Sequence, residues 1–311
     1  MENKQPILSI CIPTYNRAEK LKKSLGIICD QLYYIDSNDV ELVVSDNCSQ
    51  DDTREVVKSF ITTGCHITYF CNDSNIGPDR NFLKCINCAN GKYIWLIGDD
   101  DFLQDGIIMC IINSIKSKDF GLVHLRNIKD VDLCLQFENR HDFLLSVNYF
   151  ITFMTANIFR SEIVKTVTVT SELMNSNLLQ VAFYITSAVS YPINAIININ
   201  YLRKDPNDKV EDNGHYNFFS VFIDHYLSLW KHFVQKNLVS SKTHNELKRK
   251  IFYNFIILHI VKILILKTMP KMQSDGAWRI ILKNYWNEPY FYLYSIIKIP
   301  YYILKIKRKV Q

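Results

Sequence analysis

Four apolar runs, each closed by polar residues and followed by a helical pattern, fill the first hundred residues. Ile7 to Thr14 (ILSICIPT) is apolar and β-branched and predicts a strand. Pro13 is expected to end it, because proline has no N–H to give to a ladder. Asn16 followed by Glu19 reads as a helix N-cap with its capping box, and Leu21, Leu25, Ile28 and Leu32 then recur at helical spacing. Glu41 to Asn47 (ELVVSDN) predicts a second strand, and Ser49, Asp51 and Asp52 open a helix to about Ile61. His66 to Asn72 is a third strand, Asn75-Ile76-Gly77-Pro78 a turn, and a helix runs from about Asp79 to Ala89, stopped by Asn90-Gly91. Tyr93 to Asp101 (YIWLIGDDD) is then continuously apolar, as a strand buried on both faces must be, until it ends in three consecutive carboxylates.

Strand and helix alternating with short links predict an α/β fold, a mostly parallel sheet with helices on both faces. Ligands in such folds bind outside the carboxyl ends of the strands. The polar clusters Thr14–Arg17, Ser45–Asn47, Asn72–Gly77 and Asp99–Asp101 all fall at those ends. An isolated DDD would read most simply as an acidic turn capping the helix near Asp105. Its convergence with three other clusters favours a ligand instead. On an extended backbone, residues two apart share a side, so Asp99 and Asp101 are expected to face one pocket while Asp100 turns away. Two hard oxygen donors suit Mg²⁺ or Mn²⁺.

The later chain is less regular. A helix at about Gly106–Ser117 is followed by strands at Gly121–Asn127, Ile151–Phe159 and Tyr191–Leu202, with helical patterns near Ser161–Val167 and Leu178–Ser187. Arg203 to His215 (RKDPNDKVEDNGH) is polar and is a candidate mobile lid. From Tyr216 the pattern is helical, with Phe218, Phe222, Tyr226, Leu229 and Phe233 tracing one face. This divides the chain into residues 1–215 and a helical region, 216–311. Ile251 to Lys267 is dense in Ile and Leu but interrupted by His259, Lys262 and Lys267, which favours a packed or interfacial helix over a spanning one.

Composition is that of a globular protein, with 48% hydrophobic and 22% charged residues. The net charge of +5 is fully accounted for by Lys298, Lys305, Lys307, Arg308 and Lys309, which leaves the remainder neutral. A neutral body argues against a nucleic-acid binder, whose basic face would spread over the fold. The segment Ile296–Lys309 (IIKIPYYILKIKRK) mixes apolar, Tyr and Lys residues as interfacial helices do, so an anionic membrane surface is the expected partner of the tail. The alternative is a C-terminal helix packed on its own domain with lysines snorkelling outward. The nine cysteines, with no signal segment ahead of them, are expected to be free thiols in a reducing cytosol. Cys85-x-x-Cys88 has no second pair and reads as buried thiols, not half a zinc site.

The stretches SICIPTYNRAEKL, ELVVSDNCSQDDT and NIGPDRNFLKCINCANGKYIWLIGDDDFL resemble, in order and spacing, the family 2 glycosyltransferases of GT-A fold. Within that family, the GDDD ending and the NIGPDRNF turn look most like transferases that build O-antigen and capsular polysaccharides, abequosyltransferase-like members included. The resemblance implies roles. Pro13, Thr14, Tyr15 and Arg17 match the loop around the nucleotide base and ribose, and Asp46 the acid that hydrogen-bonds the base. Gly77, Arg80 and Asn81 match the turn beside the nucleotide. Asp99 and Asp101 match the DxD pair, reaching ribose and metal, with Asp100 able to replace one of them because other members read DADD. Arg80 or Arg203 is expected to offset charge on the leaving group.

The family's catalytic acid falls where this chain reads SELMNSNLLQVAFY, which offers Asn177 and Gln180. Glu172, Asp205 and Asp142 are the candidate bases, with His141, His124, Glu211 and Asp212 behind them. The implied activity is inverting transfer of one hexosyl or deoxyhexosyl unit from a nucleoside-diphosphate sugar, UDP first and CDP, dTDP or GDP as alternatives. The acceptor is a hydroxyl of a glycan or lipid-linked glycan at the inner face of the cell membrane, with Mn²⁺ or Mg²⁺ as cofactor. Two other readings are a catalytically degenerate relative that binds nucleotide or membrane, which the missing acid favours, and a sugar nucleotidyltransferase, which the glycine-free PTYNR loop disfavours.

Overall fold

The first strand, β1 (Leu8–Thr14), lies at the centre of the sheet's parallel half, and every one of its residues is buried. The computed structural model describes residues 5–127, 134–203 and 216–310. Two compact units divide them: residues 5–127, 134–143 and 150–203 form one, and residues 144–149 with 216–310 the other.

In the first unit β1, α1 (Ala18–Leu32), β2 (Val40–Asp46), α2 (Thr53–Thr62), β3 (Ile67–Cys71), α3 (Pro78–Asn87), β4 (Tyr93–Leu96) and α4 (Ile107–Ser117) alternate as the apolar pattern requires. After them come β5 (Leu122–Arg126), β6 (Cys134–Phe137), α5 (Arg140–Val147, which crosses into the second unit), β7 (Asn157–Arg160), the short α6 (Ser171–Met174), α7 (Leu179–Ser190) and β8 (Asn194–Asn198). The eight strands form one sheet in the order β3-β2-β1-β4-β7-β5-β8-β6. β1, β2, β3 and β4 pair in parallel, while β7 runs antiparallel to β4 and β5, and β6 antiparallel to β8. The fold class is therefore the expected one, mixed α/β with a helical C-terminal region. The order reverses at β1: the chain steps from β1 outward to β2 and β3, then returns to place β4 on β1's other side. α1 packs with α2 and α4, and α3 packs with α7. Such a reversal leaves a crevice at the carboxyl ends of β1 and β4.

Several expectations are corrected. Pro13 does not end β1; it lies inside the strand opposite Ser45, and pairing with β4 has already stopped at Cys11, so the missing N–H falls where the ladder is ending. Asn16 does not cap α1. It sits at a φ of 53°, and the first helical amide, on Ala18, donates to Asp51 Oδ2 at 2.9 Å, so the cap comes from the next loop. Only the end of the apolar run Ile151–Phe159 is strand; the part before it forms short 3₁₀ turns. The cysteines are not all free thiols: Cys29, near the end of α1, and Cys65, in the turn after α2, form a disulfide across 36 residues. Beside it a cavity of about 820 Å³, lined by Tyr33, Tyr34, Phe60 and His66 among others, opens at the edge where β2 begins, away from the acids.

In the second unit α8 (Tyr226–Gln235), α9 (Ser241–Ile251), α10 (Ile257–His259), α11 (Ala277–Tyr285) and α12 (Pro289–Val310) surround Tyr226, Trp230, Phe252 and Tyr285, all fully buried. Three π-helical turns, Ser220–His225, Phe252–Ile256 and Ile260–Ile265, shift the buried stripe, so that Trp230, not Leu229, is its innermost member. Among the described residues no helix is long and apolar enough to cross a membrane, the Ile251–Lys267 segment included.

Candidate functional site

The loops leaving β1, β2, β3 and β4 meet at one edge, held together by asparagines and acids. The backbone continues the pairing past the strands, with Asn47 N donating to Thr14 O and Asn72 N to Asp46 O, each at 2.9 Å. Asn47 then binds the turn after β3: its Nδ2 donates to Asn75 Oδ1 at 2.8 Å, and its Oδ1 accepts from Ile76 N at 3.0 Å. Gly77 takes a φ of 85°, open to glycine without strain, and leads into α3. Asn81, one turn on, is buried with its amide engaged: Oδ1 accepts from Ser45 Oγ at 2.8 Å and Nδ2 donates to Ser45 O at 3.0 Å. Arg80 points outward from the same turn, near Ile76 O at 3.5 Å.

Asp46 is 1% exposed at the end of β2. Its Oδ1 accepts from Ser49 N at 2.8 Å and its Oδ2 from the Tyr69 hydroxyl at 2.7 Å. Burial, with the carboxylate as neighbour, pushes the Tyr69 phenol well above its usual value, so it stays a donor. Pro13 and Thr14 are buried, whereas Tyr15 presents 41% of its surface at the mouth of the same edge.

The acidic triplet is a turn and not the end of an extended strand: Asp101 N donates to Gly98 O at 3.1 Å. The side chains therefore do not alternate as expected. Asp99 and Asp100 share Arg17, whose Nη1 lies 3.1 Å from Asp99 Oδ1 and 2.8 Å from Asp100 Oδ2, and Lys20 stands 3.6 Å from Asp100. Thr14 Oγ1 donates to Asp99 Oδ2 at 2.7 Å. Asp101 instead bonds the hydroxyl of Thr155, which also accepts from Gly98 N at 3.1 Å. A side chain at residue 98 would crowd this turn, since a Cβ there would lie 2.9 Å from Asp101 Oδ2. Burial raises the Asp99 carboxyl, opposed by Arg17 and Thr14. Burial likewise pushes Asp101 up to about 6, opposed by Thr155 and reinforced by Asp100 and Asp99. Tyr201, raised to about 12 by burial and by the Asp101 charge, stands beside it.

Arg203 is tied to the loop just beyond the triplet, with Nε donating to Leu103 O at 2.7 Å and the guanidinium paired with Asp105. Of the candidate bases, Glu172 is exposed on α6 and Asp142 is exposed on α5 beside His141. His124 is buried against Asn157, and burial holds its pKa down to about 4, so it is a neutral core histidine. Asp205, Glu211 and Asp212, with the candidate lid, lie outside the described residues.

An acid that the sequence did not single out does reach this edge. Asp79, on the first turn of α3, is 3% exposed and accepts from Asn177 N at 3.0 Å, just before α7. Burial pushes it up to about 6 against the hydrogen bonds from the Asn177 and Leu179 amides and the charge of Arg80. Thr155 and Tyr201 were missed for a simple reason: each is far from the triplet in sequence, within unremarkable apolar text. Lys20 was findable, because it lies one helical turn after Arg17.

The donor set here is carboxylate and hydroxyl oxygen, which suits Mg²⁺ or Mn²⁺, ions that take one or two carboxylates and complete their shell with phosphate oxygens and water. Among the described residues no three His, Cys, Asp or Glu side chains gather into a cage. Such an ion held here by one or two carboxylates would take its remaining ligands from water or a bound oxygen-rich molecule.

Residues 9–179 match the model of the family described as glycosyl transferase family 2. The chain belongs to that family. An abequosyltransferase of Salmonella typhimurium is 43% identical over 98 residues, 31% of this chain and 29% of that protein. A GalNAc(5)-diNAcBac-PP-undecaprenol beta-1,3-glucosyltransferase of Campylobacter jejuni is 34% identical over 108 residues, 34% of either chain. The chain thus aligns with about a third of the length of these curated relatives. S. aureus TarS 1-349, solved in complex with UDP-GlcNAc, superposes with a TM-score of 0.63 at 12% identity, over 89% of this chain and 81% of that one. A mannosyltransferase from Pyrobaculum calidifontis, in complex with GDP-Man and Mn²⁺, gives 0.55 at 14% identity, over 94% and 85%. These solved structures share the GT-A fold.

Proposed function

We propose that this family 2 transferase moves a single hexosyl or deoxyhexosyl unit from a nucleoside-diphosphate sugar to a hydroxyl of a growing surface-polysaccharide glycan, with inversion. The observation that carries the reading is the Thr14–Asp99–Arg17–Asp100 array at the β1/β4 crevice, where an α/β sheet binds its ligand. Tyr15 offers an exposed ring for a base to stack on, and the buried Asp46 holds Ser49 N and the Tyr69 hydroxyl in place behind it. Arg17 holds Asp99 and Asp100 of the acidic turn, and Asp101, held by Thr155 instead, is its acid free of that cation. A Mn²⁺ or Mg²⁺ ion at Asp101 and Asp99 would offset the charge that grows on the departing diphosphate.

UDP is the first donor to test, as TarS was solved with UDP-GlcNAc. A lipid-linked acceptor is supported by the undecaprenol-linked substrate in the Campylobacter relative's name and by the basic tail, which would hold the enzyme peripherally at an anionic cytoplasmic membrane face. The test is thermal stabilisation by UDP, CDP, GDP and dTDP, with and without Mn²⁺, on the full chain and on Asp101→Ala. A ligand at a hundredfold excess over Kd adds about 2.7 kcal/mol to the folded state. One nucleotide should stabilise, more with metal, and the variant should lose the metal-dependent part. No stabilisation by any of the four would overturn the reading.

A further inference from the structure

The outer faces of α11 and α12 expose apolar side chains where a surface helix normally shows polar ones. On α11 the residues that pack inward are Ala277, Ile281 and Tyr285. One position after each come Trp278, Leu282 and Trp286, exposed by 50%, 46% and 62%. On α12 the inward series is Tyr290, Tyr294 and Lys298: Tyr294 lies against Tyr253 at 4.7 Å, and the Lys298 ammonium sits 4.1 Å from the same ring. The adjoining face exposes Leu293, Ile296, Ile297, Tyr301 and Leu304, Ile296 by 75%. The two helices meet where the Tyr292 hydroxyl, on the first turn of α12, donates to Trp286 O at the end of α11 at 2.7 Å.

This apolar surface is edged by cations. Besides the inward Lys298, residues 277–311 carry Arg279, Lys283, Lys305, Lys307, Arg308 and Lys309; Lys283 is paired with Asp224 at 3.2 Å, and Glu288, the one acid of this stretch, with Lys248 at 2.5 Å. A second copy of the chain laid face to face would bring the same positive rim against itself. An anionic bilayer has the complementary arrangement, with negative headgroups for the rim and a hydrocarbon boundary for Trp, Leu and Ile. At 22 residues α12 is long, but its lysines and Pro300 suit it to lie in the plane of the interface, not to cross it.

We infer that α11 and α12 together form an inserting platform for an anionic lipid bilayer, in which Trp278, Trp286, Ile296 and Ile297 enter the headgroup–acyl boundary and the basic residues contact the headgroups. The inference deepens the membrane part of the proposed function and rests on it. It adds apolar insertion, and α11, to an attraction otherwise confined to the charged tail.

The test is flotation of the full chain with vesicles of phosphatidylglycerol and phosphatidylcholine, against phosphatidylcholine alone, at about 0.1 and 1 M salt. Fluorescence quenching by brominated lipid is read in parallel. Of the four tryptophans, Trp95 and Trp230 are fully buried, so quenching reports Trp278 and Trp286. Binding to the anionic vesicles with quenching is expected. Trp278→Ser with Trp286→Ser should lower partitioning about tenfold or more and leave the melting temperature unchanged, because both side chains are exposed. Changing Lys305, Lys307, Arg308 and Lys309 to Gln should cost about fivefold per charge at low salt and little at high salt.

Absence of vesicle binding overturns the inference. So does binding that 1 M salt abolishes and the tryptophan variant leaves intact, which would be attraction by the tail alone. So does a lipid-free, concentration-dependent blue shift with dimerisation, which would assign the face to a second copy. Nucleotide stabilisation is measured without lipid, so loss of the platform and loss of the transferase reading are separable.

Discussion

Asp79 gives the sharpest quantitative test of how the start of α3 is joined to α7. Its carboxyl is 3% exposed and its pKa is pushed from 3.8 up to about 6 by burial, although two α7-side amides and Arg80 favour the charged form. With each pKa unit equivalent to about 1.4 kcal/mol, ionising this group in the native state costs about 3 kcal/mol more than in the unfolded chain. The native state keeps the proton to higher pH. The associated stability is therefore fully present below 3.8 and is lost as pH rises through about 6. At pH 8 the wild type has lost all of it. Asp79→Asn keeps an oxygen to accept from Asn177 and removes the charge, so it should gain up to about 3 kcal/mol at pH 8 and progressively less toward pH 4. At about 2–4 °C per kcal/mol that is a rise in Tm of roughly 6–12 °C at pH 8. Asp79→Ala removes the acceptor as well and leaves the Asn177 N–H unpaired, which costs about 1–3 kcal/mol against the Asn variant. Scanning calorimetry at pH 5 and pH 8 on the three proteins decides the matter. If Asp79→Asn melts with the wild type at both pH values, or below it at pH 8, the carboxylate is not the desolvated charge described here.

Three further outcomes follow from the same geometry. Arg17→Ala leaves Asp99 buried without its cation, and should lower stability in a denaturant titration by about 2 kcal/mol and nucleotide affinity at least tenfold; Arg17→Lys should restore only part of both, because one ammonium cannot reproduce the guanidinium's fork. Gly98→Ala places a methyl group 2.9 Å from Asp101 Oδ2 and should displace that carboxylate from Thr155, lowering kcat tenfold or more while the melting temperature stays within a few degrees, since the crowded atom is the far end of a side chain. Thiol titration of the unfolded, unreduced chain should find seven reactive cysteines and the reduced chain nine, and Cys29→Ser should lower stability by up to about 4 kcal/mol through the 36-residue loop it opens.

The parallel half of the sheet was legible because strands covered on both faces must be apolar throughout, and β1 and β4 are. What lay at their ends was legible only as residue types. The triplet was placed correctly at the mouth of β4, but its geometry was not, because the strand ends at Leu96 and the period of two ends with it. Which cation neutralises which acid depended on Arg17 reaching across 82 and 83 residues, a contact with no local signal. The disulfide was hidden for a related reason: Cys29 and Cys65 belong to neighbouring helical units, and only the packing of α1 on α2 brings their Cα atoms to 5.9 Å. In the second unit the π-helical turns insert extra residues into the helical repeat, so a face traced at 3.6 residues per turn drifts off the buried side after one of them.

Stability alone would not have built the edge where β1 and β4 part. Asp79 and Asp99 are buried and Asp101 is half-buried; each carboxyl is raised by that burial, and the hydrogen bonds and cations around them recover only part of the loss. Apolar residues or amides of similar size would pack there without that loss. Raised carboxyls gathered at a sheet's switch point are the expected mark of a site whose ligand supplies the missing compensation. Under the proposed function, the ligand at Asp99 and Asp101 would be one bringing cation and phosphate together. For Asp79, whose hydrogen bond comes from Asn177 N just before α7, the compensation is structural: the acid fixes the α7 loop against the turn that begins at Gly77. The two cases separate by experiment, because nucleotide with Mn²⁺ should reverse the pH-dependent instability contributed by the triplet and leave that of Asp79 in place.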